Sequence, residues 1–191
     1  MTPQMDVLYV KDLGHVLAAF TRVSEPDQLE ASAAPFLATG LHVRGLGDPA
    51  GYPSPGDFNS QTFVVPADRI ALARVALNSA QLAAPRDLTV TISPTSPPTV
   101  SSFPSTAPPT ITTGPPLKVK LAQPAAAATP FLILLDGPSL DTPIEQPCIF
   151  PQGAHDFTPT LPAISALSAG ITYYAIVFFP SYPIAVHNFT P

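Results

Sequence analysis

Charge is what this chain has least of. Asp, Glu, Lys and Arg make up 11% of its 191 residues, less than half the share common in soluble domains. A monomer so composed cannot cover itself with charge, so part of its surface is apolar, hydroxyl-rich or pressed against a partner. Lys and Arg number only 8 against 13 Asp and Glu, a net charge of -5. That balance argues against a nucleic-acid backbone as partner, and no basic cluster marks an anionic membrane surface. Cys148 is the only cysteine, which excludes an intrachain disulfide and a cysteine metal cluster. Tryptophan is missing altogether. No apolar run approaches the roughly 20 residues of a membrane helix. No basic region leads into an apolar stretch at the start either, because Lys11 and Asp12 interrupt the first hydrophobic run. The expectation is a soluble protein made without a signal peptide.

Proline and apolar residues fill the space that charge leaves. There are 27 prolines, and 46% of the chain is hydrophobic. Proline at that density argues against long helices and for short strands and rigid loops. Residues 5–10 and 16–23 read as a hairpin turned by Asp12 and Gly14. Further strands are expected at 36–44 (with Gly40 as a bulge), 62–66, 87–92, 117–121, 129–135, 148–150 and 184–189. Residues 67–84 are ambiguous. Their Ala, Leu, Arg and Gln favour helix, yet Arg69 and Arg74 break any apolar helical face, and a strand at 70–77 is preferred. Lys118 and Lys120 alternate with apolar neighbours as lysines do on a guarded edge strand. Residues 93–116 are Ser, Thr and Pro without charge, read as a long loop held to the body by Val100, Phe103 and Ile111. The acidic patch at Glu25, Asp27 and Glu30 reads as a solvated loop, and 141–147 as a proline-bounded loop.

The strand around which the rest is organised is 171–179. Ile171, Tyr173, Ala175, Val177 and Phe179 lie on one face and Thr172, Tyr174, Ile176 and Phe178 on the other. Both faces are largely apolar, so the strand is either central and covered twice or covered by a partner.

No catalytic pattern accompanies it. Histidines stand at 15, 42, 155 and 187 without the spacing of a zinc site. Cys148 follows Pro147 with no basic neighbour and reads as a small apolar residue. Gly45 and Gly47 lack the third glycine and the helix of a dinucleotide site; their loop, 45–56, is a candidate boundary or binding loop. Asp136 and Gly137 read as a turn. Asp136, Asp141 and Glu145 lack regular calcium-ligand spacing, and His155 and Asp156 read as a loop pair rather than a proton relay. Tyr52, Tyr173, Tyr174 and Tyr182 are the rings available for stacking on sugars. Asn188-Phe-Thr190 is a formal glycosylation sequon. The expectation is no catalytic residue, no metal, no cofactor and no enzyme.

The strongest signal is again an absence. Residues 157–191 contain no Asp, Glu, Lys or Arg. Charge depletion with aromatic enrichment is the composition of an interface core. The expected interface residues are Tyr173, Tyr174, Ile176, Phe178, Phe179, Tyr182 and Phe189.

Three stretches together resemble the β-sandwich, jelly-roll modules of carbohydrate-binding and of virion or tail-appendage proteins. They are Gln61-Thr-Phe-Val-Val-Pro66, Asp87-Leu-Thr-Val-Thr-Ile92, and Leu167-Ser-Ala-Gly-Ile-Thr-Tyr-Tyr174, and the resemblance spans about 58–190. It implies a non-enzymatic module and transfers no site residue. The expected fold is all-β: an N-terminal strand region over 1–50, then a jelly-roll-like antiparallel β-sandwich over 51–191 with the Pro-rich loop 93–116. The expected role is structural, as a self-associating or decorating subunit of a virion, phage tail or sheath-like particle. Its partners would be copies of itself or other particle subunits, without nucleic acid or membrane. The alternative is a carbohydrate-binding module with a glycan as ligand.

Overall fold

The computed structural model describes residues 4–20, 40–44, 62–78, 80–81, 87–93, 95–104, 109–112, 117–137, 140–160 and 167–191. The chain is all-β. Among the described residues, helix is confined to a 3-10 turn at Ala67–Arg69 and fragments at 80–81 and at Asp87. Fourteen strands follow in order: β1 (Gln4–Val10), β2 (Val16–Phe20), β3 (Leu41–Arg44), β4 (Thr62–Val65), β5 (Ile70–Ala76), β6 (Leu88–Ser93) and β7 (Ser96–Ser102), then β8 (Thr110–Thr112), β9 (Lys118–Lys120), β10 (Thr129–Asp136), β11 (Ile144–Phe150), β12 (Asp156–Phe157), β13 (Tyr173–Phe178) and β14 (Ala185–Phe189). They fall into two compact units, both discontinuous: Met1–Leu41 with Pro66–Ser105, and His42–Val65 with Thr106–Pro191. The sequence-based division at residue 50 cuts the chain once, whereas these units interleave.

In the first unit β1 is the middle strand of β2-β1-β5, antiparallel to both neighbours. The turn into β2 works as its residues demand: Asp12 and Gly14 take φ of 62 and 78, a region glycine enters without strain and Asp tolerates. The Gly14 carbonyl then accepts from Val90 N at 2.7 Å, tying the turn to β6. One face of β1 (Met5, Val7, Tyr9) packs with Val16, Ala73, Val75, Leu77, Leu88 and Val90. The opposite face is buried too, at Asp6, Leu8 and Val10. Asp6 stands directly across from Arg74.

The segment 93–116 departs from the expected loop. β7 occupies 96–102 and pairs with β6, and β8 occupies 110–112. Pro97 and Pro98 are accommodated because they fall at the irregularity of the β6–β7 ladder, between the Thr91↔Thr99 and Ser93↔Ser96 pairs, and proline is tolerated at such bulges and on unpaired strand sides. Phe103 and Ile111 are buried and Val100 half-buried, so the three anchors hold.

The second unit has a four-stranded sheet, β11-β10-β13-β14, and a three-stranded one, β12-β9-β8, with a short pair β3-β4. The two larger sheets share one core: Phe131, Ile133, Leu135, Tyr173, Ala175 and Val177 from the first meet Ile111 and Val119 from the second, with Leu117 and Leu121 beside the ends of β9. That is the two-layer arrangement of a β-sandwich; the described strands do not display the two four-stranded sheets of a jelly roll. β9 corrects another expectation. It lies between β12 and β8, so Lys118 and Lys120 do not guard an edge; they point to solvent while Val119 enters the core. The loop expected at 141–147 is in part strand, since β11 already starts at Ile144.

Candidate functional site

β10 and β13 form the centre of the larger sheet, paired from Leu132↔Phe178 to Asp136↔Tyr174. Both of their faces are buried. Tyr173, Ala175 and Val177 line the shared core, while Leu132, Leu134, Ile176 and Phe178 are closed on the opposite face at 4% exposure or less. Of the two readings for this strand, central and covered twice describes the single chain.

This decides where the expected interface residues stand. Tyr173, Ile176, Phe178 and Phe179 are buried within the chain itself, so they cannot meet a partner in this fold. Tyr173 has a structural role: its hydroxyl accepts from Ser168 N at 2.9 Å, and its ring lies where a Cβ on Gly137 would come within 2.5 Å of Cδ1. Phe179 belongs to an aromatic group with Phe131 and Phe150, at ring separations of 5.3 and 5.5 Å. Tyr174, Tyr182 and Phe189 are half-buried. Tyr182 leans edge-on against Phe179 at 5.6 Å, and Phe189 against Tyr173 at 5.9 Å. Around them lie Ile184, Val186 and His187, also half-buried, and exposed Thr172, Asn188 and Thr190, with the two threonine hydroxyls 3.3 Å apart. The candidate site is therefore the outer part of the β13–β14 hairpin, an uncharged surface of aromatic, aliphatic, hydroxyl and amide groups. Ile184 and Val186 were not expected at a site, and His187 was noted only for lacking zinc spacing; their place beside these half-buried rings depends on the β13–β14 register, whose signal is the repeat of apolar residues over 184–189.

The other candidates disperse. Asp136 acts as a structural acceptor, its Oδ2 taking Val64 N at 3.2 Å and its Oδ1 taking Gly137 N at 2.8 Å, which fastens β4 to the end of β10. Asp141 is exposed and Glu145 half-buried on β11. Among the described residues, no group of three or more His, Cys, Asp or Glu is assembled that could hold a metal ion. His155 and Asp156 are both exposed. His15 is fully buried, its ring 5.2 Å from that of Phe103. Cys148 is half-buried with Sγ 3.6 Å from the Gln146 carbonyl oxygen, and burial pushes its thiol up from 9.0 to about 11; it is no ready nucleophile. Tyr52, the loop 45–56 and the acidic patch at 25–30 lie outside the described residues. Among the described residues, no helix is long and apolar enough to cross a membrane. No protein-family model, curated protein or solved structure matches the chain.

Proposed function

We propose that this protein is a non-enzymatic structural component, a self-associating or decorating subunit of a large particle such as a virion, a phage tail or a sheath-like assembly. One observation carries the reading. Residues 157–191 lack any Asp, Glu, Lys or Arg, yet Tyr174, Tyr182, Ile184, Val186 and Phe189 keep part of their side chains at the surface. A solvated surface normally mixes charge among such groups; a charge-depleted, aromatic one has the make-up of a protein contact. Light scattering with negative-stain imaging of the purified protein tests this directly. Oligomers or regular particles are expected, and a monomer at every concentration overturns the reading. Half-exposed Tyr174 and Tyr182 favour a second reading, a carbohydrate-binding module, in which the rings stack on sugar faces. A monomer that gives glycan-array signal, lost on Tyr182→Ala, replaces the first reading by the second.

A further inference from the structure

The four-stranded sheet ends in two edges of opposite character. β11 is guarded: Pro147 sits within it and removes a donor, and Glu145 adds charge, two devices that discourage edge pairing. β14, outermost on the other side, reads Ala-Val-His-Asn-Phe. It has no internal proline and no Lys, Arg, Asp or Glu. Among the described residues, no strand pairs with its outer side. An undefended edge of this kind is a template for strand addition.

Resting on the assembly reading above, we infer that β14 pairs, antiparallel and edge to edge, with β14 of a second copy of this chain across a two-fold axis. Charge and length identify the occupant. A charged incoming strand would lose hydration beside Val186 and Phe189 with no opposite charge in β14 to meet it. β14 itself is an uncharged strand of matching length, and its self-pairing sets no Lys, Arg, Asp or Glu opposite a like charge. The guarded β11 edges then terminate the joined sheet, so the pairing closes at two copies instead of running on as a fibre.

Sedimentation velocity over a wide concentration range, with hydrogen exchange at 185–189 on the same samples, tests the inference on wild type, Asn188→Lys and Thr190→Lys. Both substituted side chains are exposed, so lysine fits the folded chain while guarding the edge. The wild type is expected as a dimer or a multiple of it, with exchange at 185–189 slowing as concentration rises. The lysine variants are expected as folded monomers whose exchange ignores concentration. An assembled wild type whose 185–189 exchange ignores concentration, or folded lysine variants that assemble like it, removes β14 as the contact and leaves the assembly reading to another surface. A wild type that stays monomeric removes both. Should a variant fail to fold, the wild-type exchange measurement still decides.

Discussion

The two units bury different things. The first has a mainly aliphatic interior, with Tyr9 and Phe103 among it, that admits polarity: among the described residues, the buried polar side chains are Asp6 and His15, and both lie there. The second is closed by rings. Phe131, Phe150, Phe157 and Phe179 stand 5.3 to 6.1 Å apart in tilted and edge-on pairs. The polar device of the first unit is a matched pair: Arg74 Nε and Nη2 donate to the two Asp6 carboxylate oxygens at 2.9 and 3.2 Å. Such a fork works in one register only, since a shift by one residue turns Asp6 to the other face of the sheet. The second unit has shape to do the same task, through rings that interlock in one way. Unit one has a buried charge pair on its middle strand, and unit two has packed rings.

The largest effect expected from this difference is on an introduced carboxylate. Asp is accommodated at position 6 because Arg74 faces it. At position 176 the facing residues are Leu134 and Val186, and at 178 the neighbour on β10 is Leu132. Ile176→Asp and Phe178→Asp would bury a charge without an opposite one, costing several kcal/mol. Tyr173→Asp and Val177→Asp, on the other face, would do the same. All four variants should lose the sheet signal in far-UV circular dichroism. A pair that stays folded would mean that its face of β13 is not core.

Much of this was readable in the chain, and the failures share a cause. The apolar runs marked β10 and β13 as strands, with a doubly covered centre as one of two readings for β13, and Asp12 with Gly14 announced the first hairpin, because these signals are local. What failed depended on partners far away in sequence. Ser96–Ser102 looked like a polyproline loop because its own residues have little strand preference; pairing with β6 overrides that. Lys118 and Lys120 looked like edge guards because the alternation that places them is the same on a middle strand, and only β12, arriving from residue 156, makes β9 central. The interface suffered likewise. Phe178 and Ile176 had the composition of a contact surface, but composition does not say whether the cover comes from the same chain. Tyr174, Tyr182 and Phe189 kept their surface because they lie at the margins of the hairpin rather than in its middle.

Breaking the pair itself should cost less than burying a new charge in unit two. Arg74 is 24% exposed while the Asp6 side chain is fully buried, so Arg74→Met strips a buried carboxylate of its guanidinium. The urea midpoint should fall, with faster hydrogen exchange at 70–76 than at 131–135. Adding Asp6→Leu removes the stranded charge and should recover much of the loss, because an apolar pair can replace a buried ionic one. A double variant as unstable as Arg74→Met alone would show that the pair does not specify the unit.

A smaller contrast uses one glycine from each unit. Gly14 and Gly153 have φ of 78 and 74. Alanine at 153 would meet nothing within 4 Å, so it should cost only backbone strain, about 1 kcal/mol. Alanine at 14 carries the same strain and also runs into the Val90 carbonyl oxygen and Thr89 Oγ1. It should cost about 2 kcal/mol or more, read from urea midpoints at constant m-value. Equal costs would mean that the turn does not bear on β6 as tightly as the contacts imply.

The smallest effect separates the units by their response to alkali. Burial raises the thiol of Cys148 from 9.0 to about 11 in the second unit. In the first, burial chiefly, and then the nearby charge of Asp12, raises the Tyr9 hydroxyl above 10.0. Both groups are neutral when protonated, and folding holds the proton more tightly in each. The linked stability is therefore fully present below the unfolded values and is lost as pH climbs through the folded ones. For Cys148 that window runs from 9.0 to about 11; for Tyr9 it begins only at 10.0. Unit two should begin to weaken first, by a small amount because Cys148 is only half-buried. Thiolate absorbance should titrate near 11 in the folded chain and near 9 once unfolded, and Cys148→Ala should erase the part of the stability loss that precedes the tyrosine. A thiol that titrates near 9 in the folded protein, or a stability curve unchanged by Cys148→Ala, would mean that water reaches the inner face of β11 beside Phe131, and that the ring-packed unit is looser at this margin than its centre.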